Sequence, residues 1–194
     1  DHPVDAWLDR GLEICADFDG VFERQAAGAE GAQRAGVAGT WRDAFIRMPY
    51  FREVLVPAGV INVTFETSIT WDRFQDFHDR CKRATEDAIQ RVTGRPGVVT
   101  CRFTHVYPDG PAPYFTWHAI GEHGKLAAQW KEIKTAASDA VIDAGGTITH
   151  HHAVGRDHMP WYLKQRPKLF GKTLEAAKAS LDPAGVLNPG VLVE

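Results

Sequence analysis

The stretch VVTCRFTHVYPDGPAPYFTWHAIGE, residues 98–122, decides the fold. Two runs rich in β-branched and aromatic residues, 98–108 and 114–122, flank DGPAP, and that pattern predicts an antiparallel hairpin. On its N-terminal side, residues from Trp71 to about Val92 carry apolar side chains at helical spacing behind Thr70, a candidate cap. Before them VINVTFETSIT, residues 60–70, alternates like a strand. On the C-terminal side, residues 125–144 read as a second long helix closed by Gly145-Gly146, and TITHHH as a short strand entering a loop. The order strand–helix–strand–strand–helix–strand predicts an α+β fold. In it a mostly antiparallel sheet, containing 58–68, 98–108, 114–122 and 146–150, is covered on one face by helices 71–92 and 125–144.

The flanks read as helical. Residues 3–18 place Val4, Trp7, Leu8, Leu12 and Cys15 at helical spacing, and a short helix is expected near Gly20–Ala27 in a Gly/Ala-rich segment. Thr40 is the expected cap of a helix through WRDAFIRM that breaks at Pro49. A helix starting near Asp157–Met159 should break at Pro167, and KLFGKTLEAAKASLD should run into the turn PAGVLNPG. No linker is long enough to divide the chain, so one domain over residues 1–194 is expected.

Composition excludes several classes of function. The net charge is −3 and the cations are scattered, so nucleic acid is not an expected partner. Cys15, Cys81 and Cys101 have neither a disulfide framework nor a zinc spacing, which points to a reducing, cytoplasmic setting. No apolar run approaches the roughly 20 residues of a membrane span. The chain opens without Met or a signal peptide and enters a helix at once, which reads as part of something longer.

The chemistry concentrates in His150, His151 and His152. Strand side chains alternate faces, so three in a row share a pocket only if the strand ends inside the triplet and the backbone turns. Adjacent histidines lack the spacing of a metal site; a polar loop and a catalytic cluster are the other readings. For the latter, a neutral imidazole with a pKa near 6.5 both donates and accepts protons at neutral pH. Tyr114 is either a packed strand aromatic or an acid/base group; its phenol, ordinarily near pKa 10, would then need a neighbouring cation or histidine. Arg52 in PYFREV is either a surface cation or a planar fork for an oxyanion. Glu66 sits on an apolar strand and reads as a buried partner for an arginine or histidine. His118 and His158 read as structural, Trp117, Trp130 and Trp161 as core or interface residues, and Asn188 as a turn residue.

The ordered set MPYFREV, FETSITWDRF, the Tyr-bearing hairpin, GGTITHHHAVG and LDPAGVLNPG resembles the C-terminal half of the alkyldihydroxyacetonephosphate synthase family, within the vanillyl-alcohol-oxidase-type flavoproteins. The resemblance covers nearly the whole chain. Ala153 and Arg156 stand where such sequences usually carry Gly and often Lys. The resemblance implies a ferredoxin-like cap that covers a flavin held by a separate FAD-binding domain, since these residues contain no Gly-rich dinucleotide loop and are not expected to bind FAD alone. It implies exchange of the acyl group of acyl-dihydroxyacetone phosphate for a fatty alcohol in ether-lipid synthesis, with the flavin as electrophile. It assigns acid/base work to Tyr114, substrate orientation and carboxylate departure to His150, His151 and His152, the phosphate head group to Arg52, and a weaker flavin contact to Asn188. A homodimer and peripheral contact with a membrane fit the same reading. Two alternatives stay open: an FAD-linked oxidase or dehydrogenase of a hydroxy acid or alcohol, and a stand-alone ligand-binding module.

Overall fold

In the computed structural model, which describes residues 3–22 and 36–193, the hairpin forms with a tighter turn than its sequence predicts. β2 (Val98–Val106) and β3 (Pro111–Ile120) meet across Tyr107–Gly110, where each backbone N–H donates to the other residue's carbonyl at 3.0 and 3.3 Å. Pro108 and Asp109 fill the turn, and Pro111–Pro113, expected in the turn, belong to the strand. β1 (Val60–Glu66) pairs with the other edge of β3, giving an antiparallel sheet in the order β1–β3–β2.

A central strand carrying Pro111 and Pro113 is unusual, because proline cannot donate to the ladder. Their carbonyls face the chain after β1, so the missing donors lie on that edge and not toward β2. β2 shifts register between Phe103, which pairs with Pro113, and His105, which pairs with Ala112, leaving Thr104 as the extra residue of a bulge. The proline carbonyls stay in use: Thr67 N–H donates to Pro113 O and Ile69 N–H to Pro111 O.

The chain falls into two compact units, residues 1–50 and 51–194. In the second, α3 (Phe74–Thr93) and α4 (Leu126–Asp143) pack on one face of the sheet, as the periodicity predicts. α3 buries Phe77, Cys81, Thr85, Ala88 and Ile89, and α4 buries Ile133, Ala137 and Val141. They meet Ile61 and Phe65 of β1 and Phe115, Trp117 and Ala119 of β3. Phe115 stacks on Phe65 at 4.8 Å and meets Phe77 edge-on at 6.4 Å. The opposite face carries Asn62, Thr64 and Glu66, then Tyr114, Thr116 and His118, then Thr100 and Arg102, joined in register. Past α4, Gly145 at φ +80° ends the helix as a glycine cap, with Gly146 N–H donating to Val141 O. α5 (Met159–Gln165) stops before Pro167 as expected, and α6 (Lys168–Leu181) follows.

Four expectations change. TITHHH is not a strand: its backbone-to-backbone bonds to the end of β1 and the residues after it are Thr147 N–H to Ser68 O and His150 N–H to Glu66 O, and positive φ at His151 and Ala153 turns the backbone out of any ladder. Thr70 precedes a short 3₁₀ turn, Trp71–Arg73, without a side-chain capping bond. α2 (Gly36–Leu55) starts before Thr40 and runs through Pro49 instead of breaking there. Of the helix expected near Gly20–Ala27, residues 20–22 are not helical and 23–27 lie outside the described residues. In the first unit, α1 (Asp5–Asp17) forms as expected but buries none of its residues; Trp7, Leu8 and Ile14 are exposed.

Phe115 lies where three aromatic rings meet, so Phe115→Ala should cost about 3–5 kcal/mol, by lost transfer energy and the cavity left behind. Urea denaturation should show a lower midpoint at unchanged slope.

Candidate functional site

The site is built where the polar face of the sheet meets the histidine segment. Glu66, the last residue of β1, is buried, with a side chain only 3% exposed. The Thr104 hydroxyl donates to its carboxylate. His105 Nδ1 and His150 Nδ1 each lie 3.4 Å from one carboxylate oxygen, and His152 Nε2 lies 3.7 Å from the other. Burial pushes the Glu66 carboxyl up, but the Thr104 hydroxyl and the His150 and His105 imidazoles outweigh it and hold it below the ordinary value. Glu66 is therefore an ionised hub.

Local backbone explains how adjacent histidines reach one group. His152 N–H donates back to His150 O at 2.7 Å, a tight turn about His151 at φ +60°. His150 and His152 thereby approach Glu66 together, and His151 stacks on His150 at 4.3 Å. Ala153 also has φ +59°, a left-handed conformation costing a non-glycine residue on the order of 1 kcal/mol.

Tyr114 is brought into the same place. Its ring meets the His152 ring edge-on at 5.2 Å, and it lies between Glu66 and Arg102 in one row across the strands. The Arg102 guanidinium sits 4.6 Å from the Tyr114 ring centroid. Two further groups join that sequence reasoning missed. His105 lies 4.3 Å from the His151 ring and 5.2 Å from the His150 ring, and the Tyr107 hydroxyl hydrogen-bonds His150 Nε2 at 3.2 Å. His105 escapes a reading by alternation because uninterrupted pairing would aim it at the helices; the Thr104 bulge turns it to the polar face. Ligand atoms of His105, His150 and His151 lie within 4.8 Å of one another, so these three could hold a metal ion, a convergence invisible in spacing along the chain. Beside His150 opens a cavity of about 410 Å³ bordered by Tyr107, Thr147, Ser68, Asp109 and Arg73.

Arg52 is not drawn into this cluster. It lies in the last turn of α2, exposed, without a side-chain hydrogen bond or ion pair among the described residues. Asn188 adopts φ +45° in a turn, where its carbonyl accepts from Val191, and Arg156 fastens that turn through Pro189 O at 2.9 Å. His158 is buried at the start of α5, with Nδ1 bonded to Ala153 O, and His118 bonds Asn62 at 2.9 Å.

Residues 5–192 match the family described as FAD linked oxidases, C-terminal domain. The chain is 32% identical over 195 residues to the alkyldihydroxyacetonephosphate synthase of Caenorhabditis elegans, covering 98% of this chain and 31% of that protein. It is 25% identical over 154 residues to the synthase of Dictyostelium discoideum, covering 79% of this chain and 25% of that protein. A solved alkyldihydroxyacetonephosphate synthase structure superposes with a TM-score of 0.56 at 20% identity, over 77% of this chain and 24% of that one, which shows the shared fold. The chain thus spans about a quarter to a third of the length of these relatives.

Electrostatics set the charge of the cluster. Burial pushes His152 below its ordinary pKa, Glu66 pulls the other way, and Lys134 adds to the depression. Lys134 of α4 is buried, with its ammonium 3.5 Å from the Thr64 carbonyl and 5.8 Å from the Phe65 ring centroid. Burial lowers its pKa from 10.5 to about 8, against a smaller opposing pull from Asp157. Between those values the unfolded chain holds more protons than the folded one, so this group makes stability rise with pH from about 8 to 10.5 and weighs against folding below 8. Lys134→Met should raise stability at pH 7 by on the order of 1–3 kcal/mol and flatten that rise; denaturant titrations at pH 7, 9 and 10.5 measure both.

Proposed function

Because this chain belongs to the family of FAD linked oxidases, C-terminal domain, we propose that it is the substrate-binding and catalytic part of a larger FAD-dependent enzyme of the alkyldihydroxyacetonephosphate synthase type. The reaction is exchange of the acyl group of acyl-dihydroxyacetone phosphate for a fatty alcohol. The observation that carries this reading is the contact of Tyr114 with His152, both organised around the ionised Glu66.

The donor set fits one end of a flavin. The open sheet face offers hydroxyl, amide and imidazole groups at Thr64, Thr116, Asn62 and His118, suited to a flat hydrogen-bonding ring, and those residues with Asn188 would face it. When bound, FAD supplies the electrophilic centre at which substrate is activated. The chain's own groups do the remaining work. Tyr114 and His152 pass a proton to and from the substrate, with Glu66 fixing the imidazole orientation. His150, held between Glu66 and Tyr107, orients the departing carboxylate. Arg52 receives the phosphate head group on docking of the FAD-binding part, which also covers exposed apolar residues such as Phe51 and Val54. No helix among the described residues is long and apolar enough to cross a membrane, and a cytoplasmic, membrane-peripheral site of action is part of the proposal. The second reading, an FAD-linked oxidase, draws on the family's own description.

The test uses the full-length flavoprotein with acyl-dihydroxyacetone phosphate and a labelled long-chain alcohol. Incorporation of the alcohol with release of fatty acid is expected, and Tyr114→Phe should slow it about 10²–10⁴-fold with flavin content unchanged. Net flavin reduction by a 2-hydroxy acid, with no alcohol incorporated, would establish the oxidase reading instead.

A further inference from the structure

The polar face of the sheet carries one cation whose own contacts leave its charge unanswered. Arg102 of β2 stands directly across from Tyr114 of β3, which in turn stands across from Glu66 of β1. The row therefore runs carboxylate, phenol, guanidinium. The carboxylate end is already engaged by Thr104, His105, His150 and His152. Glu66 is also two strands from Arg102, roughly 10 Å at the usual strand spacing, with the Tyr114 ring between them. Arg102 makes no side-chain hydrogen bond and no ion pair among the described residues; its guanidinium stacks on Tyr114 at 4.6 Å.

That stack matters chemically. A guanidinium lying on an aromatic face keeps its edge N–H donors in the plane of its fork, free for a partner beside the ring. Cross-strand pairing and stacking both restrict its rotamers, so less entropy is lost when a ligand arrives. A flexible surface arginine would have neither advantage.

We propose that Arg102, stacked on Tyr114, is an anion-binding residue of this site and takes a two-oxygen group, carboxylate or phosphate, of the substrate. The proposal deepens the preceding reading, in which both groups are present: the substrate carries a phosphate and a carboxylate departs. Arg102 holds one of these oxyanions beside the phenol, sharing the phosphate with Arg52 or the carboxylate with His150, while Glu66 serves the opposite end of the row. Arg102 is a strand cation in contact with Tyr114, whereas Arg52 lies at a helix end.

The experiment measures binding of two probes, dodecanoate and glycerol 3-phosphate, to the full-length flavoprotein by titration calorimetry. Arg102→Met keeps an apolar stem over Tyr114 and removes the charge and the fork. It should weaken one of the two probes about 10- to 100-fold, the loss expected for a charge-assisted bidentate contact. Arg102→Lys should recover only part of that affinity, because the charge returns without the fork. The probe that weakens identifies the oxyanion. If Arg102→Met fails to fold, judged by melting temperature and flavin content, Arg102→Gln carries the same test. Affinities for both probes within about two-fold of the parent protein would overturn the proposal. Arg102-dependent anion binding in a protein that performs no acyl-for-alcohol exchange would leave this site standing and remove only the reaction assigned to it.

Discussion

One buried carboxylate organises the polar half of this molecule. Glu66 ends β1 with almost no contact with water, yet it stays ionised because a hydroxyl and imidazoles from two other segments surround it. An isolated buried carboxylate would be costly, so the surrounding groups are a condition for its being there at all. The requirement also runs in reverse. His150, His151 and His152 lie in a segment with no ladder of its own; Glu66 holds the His150 and His152 rings, Tyr107 holds His150 from its other nitrogen, and His151 lies against His105 and His150. Tyr114 enters the arrangement because it is the cross-strand neighbour of Glu66.

The second constraint is proline in the central strand. Pro111 and Pro113 turn their carbonyls to the chain after β1, so the donors they lack are missing on that edge, and on the other edge β2 carries a one-residue bulge at Thr104. A bulge of one residue inverts the facing of the residues beyond it. It carries His105 from the helix side to the polar side and lets Thr104 and His105 both reach Glu66. The side-chain cluster thus depends on a backbone irregularity in β2.

The legibility of the sequence divides along the same line. The hairpin, β1, the two long helices, the glycine cap after α4 and the aromatic core rest on period-2 and period-3.6 patterns and on glycine chemistry, and these can be read residue by residue. Tyr114 and the triplet are readable as a titratable set, and Glu66 as a partner for a histidine. Pairing across distance hides the rest. The roles of His105 and Tyr107 depend on the bulge and on the approach of residues 147–150 to β1, neither of which leaves a local mark. The expected strand at 146–150 fails for a conformational reason: its β-branched residues favour extension, but Gly145, His151 and Ala153 all take positive φ and leave no length for a ladder. Pro49 misleads in the opposite direction, since proline lowers helix propensity without forbidding a helix whose neighbouring residues favour it.

The two faces of the sheet also communicate electrostatically. Lys134 belongs by position to the apolar side, on α4 against Phe65, and a leucine or methionine there would pack at lower cost. Its charge nonetheless reaches His152 and His158, and adds to burial in keeping both imidazoles neutral. Glu66 works against it at His152. A neutral imidazole beside an ionised carboxylate can accept a proton and then be held by that carboxylate as a cation. A fully protonated cluster could only donate. Beside burial, the opposition between a buried lysine behind the sheet and a buried glutamate at its end bears on the proton affinity of His152, so the charge state of that imidazole depends partly on a residue of the hydrophobic core.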